Sequence, residues 1–225
     1  MTPAGLSVSG WSYRVGHAGE SVVPLAGTRV RGSDLRGVVC RLAHVDERDL
    51  PHIASEHREY VAAEMHAFLL SWLTELDCPV VNRPSASTLN GPAWRPEQWV
   101  AAAAAQGIGV RPTYRRHALD GDPANGSGQG SADRFLAGTS TRVVEVVGQQ
   151  VLGHEGAGLR TPARQLADAA GLAAMTAMFD VSVPRPLLVW ATAWVDVRKG
   201  QVADALLSIL GGPRRRRRRT ARLAR

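Results

Sequence analysis

The sequence predicts an α/β fold in which an open βαβ unit is followed by a smaller mixed α/β unit. Three observations predict it. A strand, a long helix and a second strand follow one another between residues 37 and 81. A stretch rich in turn formers and without periodicity fills 114–140, and a second run of strand and helix patterns occupies 141–211. With 225 residues, 44% apolar and 21% charged, the chain can bury one good core or two small ones.

Residues 1–32 alternate short apolar pieces with Gly and Pro and read as two or three short strands or a hairpin. Gly37-Val38-Val39-Cys40-Arg41-Leu42 is a β-branched apolar run and reads as a buried strand. From Pro51 to Leu76 the apolar residues return every three or four positions (Ile53, Tyr60, Val61, Met65, Phe68, Leu69, Trp72, Leu73, Leu76), which predicts a helix with Pro51 in its first turn and Asp49 as its cap. Asp77-Cys78-Pro79 ends it and Val80-Val81 is the next strand; the handedness of such crossovers makes the pair parallel. The apolar strand breaks at Asn82-Arg83-Pro84, and an alanine-rich helix is expected from about Pro96 to Gln106, then an extended piece ending at Pro112-Thr113.

In the second half, Thr141–Leu152 reads as two strands around a tight turn at Gly148-Gln149. Pro162–Ala170 reads as a helix started at Thr161 and stopped by Gly171. Met175–Val181 and Leu187–Val197 read as strands, and Lys199–Leu210 as the last helix.

Lys199 is the sole lysine, and six arginines form the run Arg214–Arg219. Setting those six aside leaves 21 of the 27 basic residues against 20 acidic ones, so the net charge of +7 belongs to the tail. The tail is expected to be solvated, with binding to polyanions through Arg214–Arg219 as the alternative. No apolar run reaches the roughly 18 residues of a membrane span and no secretory pattern opens the chain, so cytoplasmic residence is expected. Cys40 and Cys78 sit among Val and Leu and read as buried reduced thiols. His52 and Glu56 could share a helix face at a spacing of four, and read as solvated surface rather than metal ligands. Trp94, Trp99, Trp190 and Trp194 are spaced as core or interface residues.

Strand, Asn82-Arg83-Pro84, alanine-rich helix and Gly107-Ile108-Gly109-Val110-Arg111-Pro112-Thr113 together resemble the hinge of ATP-grasp carboxylate–amine ligases, the superfamily of glutathione synthetase and the ribosomal-protein glutamate ligase. Arg142-Val143, Val147-Gly148, Val151, Leu166–Leu172, Phe179-Asp180-Val181 and Leu188-Val189-Trp190 follow in the order found at the C-terminal end of ATP-grasp domains. The resemblance implies a pre-ATP-grasp-like α/β domain over 1–113, a flexible Gly/Ser-rich loop or linker over 114–140, a truncated ATP-grasp-like α+β unit over 141–211 and a disordered Arg-rich tail over 212–225. It implies ATP and Mg²⁺ as cofactors, although the motifs that would hold them are not intact. Phosphates would fall to Arg83, Arg111 or Arg142, since Lys199 stands in the closing helix, and Asp180 is the candidate Mg²⁺ ligand. Ala191-Thr192-Ala193 stands where the family's last strand carries metal ligands.

Three functions stay open on the sequence. The first is a non-catalytic partner or peptide- or carboxylate-binding subunit of an ATP-dependent peptide-modifying ligase system, working with a full-length ATP-grasp ligase or a peptide substrate. The others are a compact active carboxylate–amine ligase and a nucleic-acid-associated protein acting through its arginine tail.

Overall fold

The computed structural model of the chain describes Gly5, Ser7 and residues 10–25, 27–111, 140–153 and 158–211. The expectations for the Gly/Ser-rich segment and for Arg214–Arg219 fall outside these residues.

β1 (Val22–Leu25) and β2 (Thr28–Arg31) form the expected hairpin, with Val22 opposite Arg31 and Leu25 opposite Thr28. β3 (Val38–Val39) and β4 (Val80–Val81) pair in parallel around α1 (Ser55–Glu75), which makes the βαβ unit. Its core gathers Val23, Leu50, Leu69, Trp72, Leu73, Leu76 and Leu89, with the Trp11 ring edge-on to both Phe68 and Trp72 at 5.2 and 5.3 Å. Burying each such side chain is worth about 1.5–3 kcal/mol, and this is what holds so short a sheet.

α1 starts later than the sequence predicts. Its N-cap is Ala54, with no side-chain cap bond, and Asp49 belongs to a separate 3₁₀ turn over Glu47–Asp49, where Asp46 accepts the Arg48 N–H at 3.0 Å and the Asp49 carboxylate accepts the Asp46 N–H at 3.0 Å. Arg58 then donates to the carbonyls of Ile53 and Pro51 at 2.7 and 3.1 Å, which holds 51–54 outside the helix. His52 therefore shares no helical face with Glu56; its ring lies 2.7 Å from the Ser7 hydroxyl.

The second half is a four-stranded antiparallel sheet in the order β6 (Gln150–Leu152), β5 (Thr141–Val147), β7 (Ala174–Asp180), β8 (Leu187–Thr192). Gly148 makes the β5–β6 turn at φ 57°, in the left-handed region that suits glycine. β8 is shorter than expected, ending at Thr192, where the Thr176 hydroxyl bonds the Trp194 carbonyl and the chain turns toward α4 (Gly200–Leu210). α3 (Arg160–Ala169) begins before Thr161, fixed by the fully buried Leu159 rather than by a hydroxyl cap, and ends at Gly171 with φ 64°.

α2 (Pro96–Ala105) packs on β8 and α3 on β5, so Trp99, Ala103 and Ile108 share one core with Val144, Val146, Leu166, Met175, Phe179 and Leu188. Val110 extends that sheet through a parallel bridge to Leu188. α4 covers part of the opposite face, where Val81 joins Val147, Ala174, Val202, Ala205 and Leu206. The apolar contacts of the two halves are thus shared around β4 and α2. Trp99 is buried and its ring meets Trp94 at 4.9 Å, as the packing reading requires, whereas Trp190 and Trp194 remain 39% and 36% exposed. Cys78 is buried, Cys40 half-buried, and neither forms a disulfide.

Candidate functional site

The hinge residue Asn82 ties the two halves. Its φ of 50° is one that asparagine tolerates better than most residues, and it turns the side chain into the second sheet. Nδ2 donates to the carbonyls of Ala174 and Ala193 at 2.6 and 2.9 Å, and Oδ1 accepts the Ala174 N–H at 2.9 Å. Asn90 adds a bond to the Ala193 carbonyl at 3.3 Å. The neighbouring Arg83 reaches back to the carbonyls of Thr74, Leu76 and Cys78 at 3.2 to 3.4 Å. Its guanidinium finishes the C-terminal end of α1, where the helix dipole favours a cation.

Asp180 closes β7 opposite Thr141 and Leu187. Its Oδ2 accepts the Arg111 guanidinium at 2.7 Å, and its Oδ1 accepts both the N–H and the hydroxyl of Ser182. The Ser182 hydroxyl first, then its N–H and the Arg111 charge, hold the Asp180 carboxyl below the usual range against the opposing effect of burial. Of the residues expected to meet phosphate or metal, Arg111 and Asp180 are therefore brought together. Arg142 lies exposed near the start of β5, across from Phe179 of β7, and Arg83 stands at the end of α1.

Lys199 is committed elsewhere. It pairs at 3.1 Å with Glu145, a carboxylate only 5% exposed, which also accepts the Asp196 N–H. Asp196 in turn is held at about 2, chiefly by Arg198.

A nucleotide-bound Mg²⁺ asks for near-octahedral oxygen ligands, with protein carboxylates supplying one or two. Both Asp180 oxygens are already taken by donors, and β8 offers Leu187, Leu188, Trp190, Ala191 and Thr192 in register with β7. Among the described residues, no cluster of three or more His, Cys, Asp or Glu side chains could hold a metal ion. Among the described residues, the donor set around Asp180 does not fit a Mg²⁺–nucleotide centre.

Between the hinge loop and β8 lies a pocket of about 260 Å³, lined by His44, Thr88, Asn90, Trp94, Thr192 and Trp194 among others. The His44 ring stacks on His66 at 5.5 Å, and burial followed by His44 keeps the His66 imidazole below its usual pKa. Sequence periodicity places His66 on α1 but carries no signal for this pairing, because His44 sits in a loop 22 positions away. Glu145 was equally silent: a lone carboxylate in an apolar strand looks like an exposed alternate until its lysine is located.

No protein-family model matches the chain, and no curated protein matches it either. Solved structures do. The ATP-grasp ligase PsnB complexed with minimal precursor, Mg and ADP is 12% identical, with a TM-score of 0.54, over 89% of this chain and 85% of that one. The same ligase complexed with minimal precursor alone is 13% identical, with a TM-score of 0.56, over 88% and 85%. PsnB complexed with the precursor peptide PsnA2 and AMPPNP is 14% identical at a TM-score of 0.54. At these identities the likeness speaks for architecture, and it agrees with the element order described above: this chain has an ATP-grasp-like fold.

Proposed function

We propose that the chain is a non-catalytic ATP-grasp-like subunit of an ATP-dependent peptide-modifying ligase system, binding a peptide or carboxylate while a full-length ligase supplies the phosphoryl chemistry. The observation that carries this reading is the engagement of Asp180. Phosphoryl transfer depends on fixed cations and metal ions that neutralise charge as it develops. Here the candidate carboxylate is saturated by Arg111 and Ser182, and Lys199 is spent on Glu145.

Peptide binding is supported by the fold and by the pocket of His44, Asn90, Trp94 and Trp194. The fold is shared with a ligase solved with its precursor peptide. The pocket is smaller than the roughly 300–1,000 Å³ of drug-sized sites and suits one side chain rather than a nucleotide.

The test is steady-state release of ADP and phosphate by the purified chain with Mg-ATP, with and without added peptides, alongside direct titration of ATP. The proposal expects no release above a no-protein control. Release that disappears on Asp180→Asn would replace it with the compact-ligase reading.

A further inference from the structure

Among the described strands, β3 has a neighbour on one side only. It pairs with β4, and these two make a sheet of their own. The Val38 N–H bonds the Pro79 carbonyl at 2.9 Å, on the β4 side. Successive residues of a strand send their backbone groups to opposite edges, so the N–H and C=O of Val39 point away from β4. No described strand takes them up.

On that side lies a groove of about 490 Å³. α1 contributes Leu69, Trp72 and Leu73, β1 contributes Val23 and Leu25, and no β4 residue lines it. Arg41 is the sole charged residue among the described ones that line it. Trp11 lines the same groove, and its buried indole Nε1 has no hydrogen-bond partner; no other buried side-chain nitrogen or oxygen among the described residues is in that position. Buried donors are nearly always satisfied, and an unsatisfied one marks a place where an acceptor belongs.

We propose that the free edge of β3 and this groove bind an extended apolar peptide segment of another molecule, which adds to β3 as a strand. Main-chain groups of the segment bond Val39, alternate side chains enter the groove over Leu69 and Leu73, and a carbonyl accepts from Trp11. A small apolar molecule would fill the volume but leave the Val39 N–H and C=O unpaired, whereas a peptide strand satisfies both. Arg41 selects against basic residues in the segment and tolerates acidic ones. The site is distinct from the hinge pocket and does not rest on the function proposed above.

The experiment titrates the intact chain with an acetylated, amidated heptapeptide of alternating valine and threonine, by calorimetry and by the indole N–H resonance of Trp11, assigned with Trp11→Phe. Two further peptides carry N-methyl groups on one or the other set of alternate amides. A strand uses one edge only, so one methylated peptide should bind about tenfold more weakly and the other nearly unchanged. Val39→Pro, which removes the outward N–H and leaves the Val38 bond to β4, should weaken the parent peptide to a similar degree. The peptide comparison stands even if that variant is poorly folded. Equal binding of all three peptides, no binding of any, displacement of the peptide by lauric acid that itself binds more tightly, or a dimer of the chain that the peptide fails to dissociate would each overturn the proposal.

Discussion

Arg111 and Asp180 lie 69 positions apart and meet in a 2.7 Å ion pair where the chain leaving the hinge runs beside β8. The pair sits beside the Val110–Leu188 bridge, so it fastens the hinge segment to the end of the second sheet at the place where an ATP-grasp metal ligand was expected. An aspartate serving as a strut in this way has little left to offer a metal.

Removing the arginine should therefore cost stability. Arg111→Ala leaves a carboxylate that is 6% exposed without its cation, and we expect a loss of about 2–4 kcal/mol in thermal or urea unfolding. Asp180→Asn should cost less, since the amide still accepts from Ser182. The folded carboxyl is held below its unfolded pKa of about 3.9, so its contribution is complete above that value and is lost as the pH falls through the folded pKa. The Arg111→Ala variant should lose part of this decline below pH 4.

Asn82 should be irreplaceable by a residue chosen for its backbone alone. Asn82→Gly accepts φ 50° without strain yet deletes three hydrogen bonds to Ala174 and Ala193. At about 0.5–1.5 kcal/mol each, plus the penalty for the buried backbone partners left unsatisfied, a fall of about 2–4 kcal/mol is expected. If urea unfolding shows Asn82→Gly as stable as the parent, the joint between the halves lies elsewhere.

Much of this arrangement was legible in the sequence. The β5–β6 hairpin around Gly148, α2 between Pro96 and Ala105, and α4 up to Leu210 follow from periodicity and turn residues that local sterics enforce. Local patterns misplaced the start of α1, because Asp46 and Asp49 cap each other on a separate 3₁₀ turn and Arg58 holds the Pro51 and Ile53 carbonyls ahead of the helix. The site was harder to see for a related reason. Arg83, Arg111 and Lys199 are all free cations in a sequence, and only tertiary contacts reveal that one closes a helix and the others are paired with Asp180 and Glu145.

The Glu145–Lys199 pair gives a separate test. Lys199→Met leaves Glu145 buried with the Asp196 N–H as its remaining donor, and should cost about 1–2 kcal/mol, discounted because the lysine is 51% exposed. Adding Glu145→Gln should recover part of that loss. A double variant no more stable than Lys199→Met, measured by the same unfolding curves, would show that the carboxylate is not the reason for the lysine.

The stacked His44 and His66 rings should make the chain acid-sensitive in a second, higher window. Because burial and His44 lower the folded pKa of His66, its neutral form is favoured in the fold. That stability is complete above the unfolded pKa of about 6.5 and is lost as the pH falls toward the folded value. His66→Gln should flatten the melting temperature in the window just below about pH 6.5 while leaving the decline near pH 4 in place. An unchanged slope in the upper window would assign it to other groups.

The central claim is that an ATP-grasp-like fold is used here without phosphoryl transfer. The most direct measurement is ADP release by the purified chain at saturating Mg-ATP, compared with Asp180→Asn and Arg111→Ala. The account predicts no release above background from any of the three. Turnover by the parent that Asp180→Asn abolishes would contradict it, and would mean that Asp180 exchanges Arg111 and Ser182 for a metal when nucleotide binds.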